Sequence, residues 1–122
     1  MSDPPQAHWS TFGERDAKAL TQVMSVLGDD VFPELADEQF VVVSESGAEY
    51  LVDMVAGACD CPDALHRGER CKHQRRVDYA RGLVPIPPWV EADAIDDGLG
   101  QHLSAAPRLA HQDGSTEVLD DG

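Results

Sequence analysis

Cys59-Asp60-Cys61, nine intervening residues, and then Cys71-Lys72-His73 form the stretch that decides how this chain is read. All three cysteines of the protein fall inside it. In extended backbone, residues i and i+2 point to the same side, so Cys59 and Cys61 at a strand end reach one point while Asp60 faces away. Three thiolates and one imidazole complete the ligand set of a tetrahedral zinc ion, and a site with four protein ligands keeps no position open for a substrate. One structural Zn2+ on Cys59, Cys61, Cys71 and His73 is therefore the expected cofactor. A disulfide between Cys59 and Cys61 would close a very small, strained ring, and an odd cysteine count leaves one thiol over.

Downstream of Cys61, Pro62-Asp63 suits the first turn of a short helix, because proline is tolerated where no N–H bond is needed. Gly68 is placed to end that turn. Cys71 opens a second helix that runs to about Arg81, with Gly82 as its terminator. At about 100° per residue, His73, Val77 and Ala80 share a side expected to face the metal. Lys72, Arg75, Arg76 and Tyr79 fall on the opposite, outward side. This placement favours His73 as the fourth ligand. The alternative is His66, which gives Cys-x-Cys-x4-His-x4-Cys, a retroviral-type knuckle short of one residue in its first pair.

Upstream, Phe40-Val-Val-Val43 is strongly β-forming, Glu45-Ser-Gly-Ala48 is a turn signal, and Glu49 to Met54 reads as the return strand. Ala56-Gly57 interrupts it before a brief third strand into Cys59.

The segment from about residue 39 to 83 resembles the SWIM zinc finger, whose signature is Cys-x-Cys, a variable spacer and Cys-x-His. The hairpin Ser44 to Asp53, the Cys61-Pro-Asp63 step and the helix after Cys71-Lys-His73, with Val77 and Ala80, are similar to the family's elements. The resemblance implies Cys59, Cys61, Cys71 and His73 as ligands. Across its whole length the chain is similar to small stand-alone SWIM proteins of halophilic archaeal type. Elsewhere SWIM domains accompany helicase-like ATPases, transposases and recombination accessory factors, so the family implies contacts to DNA or to other proteins.

Length allows one modest domain, and a metal staple is what so small a core needs. Thiols confined to a metal motif fit a reducing cytosol, so a cytoplasmic location is expected. No membrane span or signal-like segment is visible. The net charge is −14, from 23 acids against 9 bases. Such a balance fits a halophile's cytoplasm, the alternative being an acidic protein such as a DNA mimic. The charge is uneven: Arg67, Arg70, Lys72, Arg75, Arg76 and Arg81 face only Glu69 and Asp78 within residues 67–81. That window carries +4 and the remainder −18. The basic island coincides with the zinc motif, where it either neutralises the thiolate-rich site or forms a binding face.

The rest of the chain is read in the same way. Residues 1–10 form a flexible lead-in. Residues 11–38 hold a helix and an acidic loop: Thr11-Phe-Gly-Glu14 matches a capping box, and Ala17, Leu20, Val23, Met24 and Leu27 mark one helical face from Phe12 to Leu27, ended by Gly28. Residues 84–102 carry an extended Pro85-Ile-Pro-Pro-Trp89 segment, with Trp89 docked on the core or left as a partner contact, and a short acidic helix over Val90 to Leu99. Residues 103–122 are polar and acidic, the signature of disorder.

The expected fold class is α+β: an N-terminal helix, a β-hairpin, a Cys-x-Cys…Cys-x-His knuckle and a C-terminal helix. No paired carboxylates or phosphate-binding loop stand out, so neither an enzyme nor a small-molecule substrate is expected. Two functions follow. One is a protein-interaction adaptor in recombination, repair or transcription. The alternative is direct DNA or RNA binding through Arg67, Arg70, Lys72, Arg75, Arg76 and Tyr79, which the acidic remainder and high salt would oppose.

Overall fold

The computed structural model describes residues 12–67, 70–101, 103 and 105–119. The expected lead-in, the end of the short helix at Gly68 and the Arg67 side chain lie outside the described residues. The α+β class holds: α1 (Glu14–Thr21), α2 (Pro62–Arg67) and α3 (Lys72–Ala80) accompany a four-stranded antiparallel sheet of order β1-β2-β3-β4. Its strands are β1 (Met24–Leu27), β2 (Gln39–Ser44), β3 (Glu49–Asp53) and β4 (Ala58–Cys59). A separate hairpin joins β5 (Arg108–Ala110) to β6 (Thr116–Val118).

The sheet is the expected hairpin with its brief third strand into Cys59, and β1 is added at the other edge. Val43 pairs with Glu49 and Phe40 with Val52, and Cys59 is carried in opposite Val52. Alternation then sends Met24, Val26, Val42, Val52 and Cys59 to one face, where all are buried. Helix α3 lies against that face, contributing His73, Val77 and Ala80 to the interior as the periodicity predicts. Gly82, at φ +73°, ends the helix; a side chain there would strike the Ala106 carbonyl oxygen.

The N-terminal helix departs from expectation. It stops at Thr21 instead of running to Leu27, and Met24–Leu27 is a strand paired with Val41–Ser44. The cause is Arg76, wholly buried 52 or more residues downstream. Its guanidinium donates to the carbonyls of Ala19 (3.0 Å), Gln22 (2.9 Å) and Met24 (2.6 Å), and to Asp96 (2.5 Å). The Ala19 carbonyl would otherwise receive the Val23 N–H of a continuing helix. The helix also starts later: Gly13 is the N-cap, its N–H donating to Asp16 Oδ2 at 2.9 Å, while Thr11 of the expected capping box lies outside the described residues.

Two expectations for the C-terminal third are also corrected. Val90 to Leu99 is not a helix; it holds one 3-10 turn at Ala92–Ala94, and Ile95 and Leu99 are buried. The tail is ordered over its described part. Ile86 donates to Arg108 O (2.8 Å) and accepts from Ala110 N (2.9 Å), which stitches β5 to the Pro-rich segment. Asp113-Gly114-Ser115 supplies the hairpin turn. Composition counts residues singly and misses that alternation around a turn. Trp89 is 56% exposed, with its ring set edge-on to Phe12 at 6.0 Å, so of the two expected placements it is not the one docked in the core.

Candidate metal centre

Cys59, Cys61, Cys71 and His73 come together, all four buried, with their ligand atoms within 4.8 Å of one another. Each is placed by a different local device. Pairing of Val52 with Cys59 fixes the strand end, and Asp60 clamps the next step onto β3, accepting the Leu51 N–H at 3.0 Å while its own N–H reaches Leu51 O at 3.3 Å. Asp60 thus faces away from the cluster, as the i, i+2 rule requires. Cys61 precedes α2, and its sulfur accepts the Ala64 N–H at 3.5 Å. Cys71 is the N-cap of α3, and Gln74 returns its Oε1 to the Cys71 N–H at 2.9 Å. His73, the second residue of that helix, aims Nδ1 at the sulfurs of Cys71 (3.7 Å) and Cys59 (4.0 Å).

Those separations are long for hydrogen bonds but suit a shared ion. Bonds of about 2.3 Å to sulfur and about 2.1 Å to nitrogen put tetrahedral neighbours roughly 3.6 Å apart. The burial also calls for one. Three thiols and an imidazole sit together in the interior, where polar groups without strong partners are costly. The four residues therefore fit a metal ion. Nδ1 of His73 is the atom that would bind it, and the Tyr50 ring, stacked at 4.3 Å and 30°, fixes the imidazole plane. His66 lies exposed on α2, outside the cluster.

The electrostatics of the thiols point the same way. The Cys59 thiol, followed by the His73 contact and the Gln74 N–H, holds the Cys71 thiol far below its usual value, at about 3. Cys59, the partner in that hydrogen bond, is pushed up, and burial pushes Cys61 up as well. One thiolate at a helix N-terminus with two thiols beside it is primed to exchange protons for a cation. The cluster is also reachable. Cys61, Cys71, His73 and Tyr50 form one wall of an open cleft of about 510 Å³ whose other wall is α1.

The expected binding face fares differently. Arg76 and Tyr79 do not point outward; they are 0% and 3% exposed because α1 packs on that side of α3. Tyr79 donates to Asp16 Oδ1 at 2.8 Å, and burial together with that acceptor pushes its hydroxyl pKa up. Arg75 is ion-paired with Asp16 at 3.2 Å and donates to Arg70 O. Arg70 is ion-paired with Asp78, and Lys72 donates to Gln22 Oε1 at 2.7 Å. Most of the basic island thus ties α3 to α1 and to its own loop.

Sequence reasoning missed three supports: Tyr50, Gln74 and Asp60. Gln74 was readable, since Cys71-x-x-Gln74 has capping-box spacing. Tyr50 and Asp60 depend on strand register, which motif spacing does not carry. Compared with protein-family models, curated proteins and solved structures, the chain matches none. No helix among the described residues is long and apolar enough to cross a membrane.

Proposed function

We propose that this chain is a zinc-stapled, non-catalytic interaction module of the SWIM type, acting as a protein adaptor. The observation that carries the reading is the buried Cys59–Cys61–Cys71–His73 cluster, whose sulfur-rich donor set selects zinc over the oxygen-seeking cations. A four-ligand site is coordinatively full, so the ion is structural. It joins β4, α2 and α3 and holds the start of α3 against the sheet.

Protein recognition ranks ahead of nucleic-acid binding because of how the bases are spent. Of the six residues of the expected binding face, Arg76 and Tyr79 are buried, Arg70 and Arg75 are ion-paired, Lys72 is bound to Gln22, and the Arg67 side chain lies outside the described residues. A phosphate backbone would have to compete with those partners and approach a chain of net charge −14. Fluorescence anisotropy with labelled duplex and single-stranded DNA at low salt tests the ranking. The adaptor reading expects no saturable binding by the zinc-loaded protein. Binding that is abolished by Arg75→Ala with Lys72→Ala would reverse the order.

A further inference from the structure

The four-stranded sheet has a second face. Opposite the buried row, alternation presents Leu27, Val41, Val43, Leu51 and Ala58, and register aligns Leu27, Val41 and Leu51 straight across three strands. Among the described residues the helices pack on the other face, and Leu27, Val41, Val43 and Leu51 stand outside the buried core cluster. Leu51 is 41% exposed. An apolar sheet face ordinarily has to be covered.

Carboxylates outnumber bases around this face. Between Lys18 and Arg67 the chain has ten acids and no base, and of these Glu38 and Asp63 are paired with Arg81 and Arg15 from elsewhere in the chain. Glu49 and Asp53 stand on the face itself, the latter bonded to its outward neighbour Gln39, and Asp60 borders it. A second copy of this chain would bring the same acidic margin and a net charge of −14 against its twin. The chain's own remaining residues offer no complement either, because residues 1–11 hold Asp3 as their one charged side chain and residues 120–122 are acidic. The occupant that satisfies both the aliphatic row and its rim carries aliphatic side chains flanked by Lys or Arg.

Size narrows its form. Four strands span about 14 Å, the length of roughly ten residues of α-helix, and a helix laid on a sheet is the standard two-layer solution. We infer that the outer face of the β1–β4 sheet is the docking surface for a cationic amphipathic helix of a partner protein. This rests on the reading of the chain as an interaction module, and it supplies the partner's chemistry. The zinc site, on the opposite face, sets the sheet's shape without touching the partner.

The probe is a synthetic Leu/Lys amphipathic helix, with its Leu/Glu counterpart as control, titrated into 15N-labelled zinc-loaded protein. The expected result is saturable binding of the Leu/Lys helix alone, with amide shifts centred on Leu27, Val41, Val43 and Leu51. Leu51→Ser, which leaves the charge unchanged, should weaken it at least about tenfold, whereas Glu14→Gln on α1, an exposed acid on the other side of the sheet, should change it less than about twofold. Binding indifferent to Leu51→Ser, shifts centred on α3, or equal binding of both helices would overturn the proposal. So would sedimentation showing a dimer whose contact is abolished by Leu51→Ser. Zinc content of the same samples separates the two readings: zinc without helix binding defeats the docking surface, and helix binding without zinc defeats the metal module.

Discussion

The two sides of α3 are pinned by different chemistry. Toward α1, Arg76 and Tyr79 are buried with partners in place: Arg76 reaches three carbonyls and Asp96, and Tyr79 reaches Asp16. Toward β4 and α2, three thiols and an imidazole are equally buried but meet one another only at long range. The first side is held by protein partners, with Arg76 Nε alone of its guanidinium nitrogens left without one among the described residues; the second is a donor set that a metal ion would complete. Stability on the first side should therefore be insensitive to metal, and on the second should depend on it.

Removing the ion is the largest test of that contrast. A strong chelator should withdraw stabilisation on the order of 10 kcal/mol from the knuckle. Amide exchange should then accelerate from Cys59 to His73 well before it does along α1. Acid should act in the same direction, because protons compete with the metal for thiolate and imidazole as pH falls.

Arg76→Met comes next. It leaves Asp96 and three carbonyls without their buried donor, a loss of about 3–5 kcal/mol by denaturant unfolding. The variant should still take up zinc. If it binds none, the two sides are a single cooperative unit and the contrast fails.

Tyr79→Phe removes one hydrogen bond to a carboxylate that keeps Arg75 and the Gly13 N–H. The expected cost is about 1.5–3 kcal/mol, read from thermal unfolding with zinc content unchanged. Lys72→Ala, which gives up a surface contact to Gln22, should shift stability by less than about 0.5 kcal/mol. A large loss there would mean that the bond between α1 and α3 extends to the rim.

How much of this was legible follows the same division. The knuckle could be read because its information is local: i, i+2 alternation at Cys59 and Cys61, a proline-led turn, and the helical phase that turns His73 inward with Val77 and Ala80. The hairpin could be read from Val41–Val43 and the Glu45–Ala48 turn. The α1 side could not, because its decisive contact spans more than fifty residues. Met24 fits both patterns, Leu27 extends the helical face and Val26 the alternating one, and Arg76 chooses between them. The same helical phase that placed His73 correctly put Arg76 and Tyr79 opposite it, but whether that opposite side meets water or another helix is a tertiary fact. Their polarity suggested water; Asp16 and the frayed carbonyls of α1 supplied an interior that accepts them.

Metal content by native mass spectrometry tests the central claim most directly, on the wild type, His66→Ala and His73→Ala. One zinc per chain in the wild type and in His66→Ala, with none in His73→Ala, is the result this account predicts. Zinc kept by His73→Ala and lost by His66→Ala would contradict it, since the ion would then be held from α2 and α3 would be free of the metal.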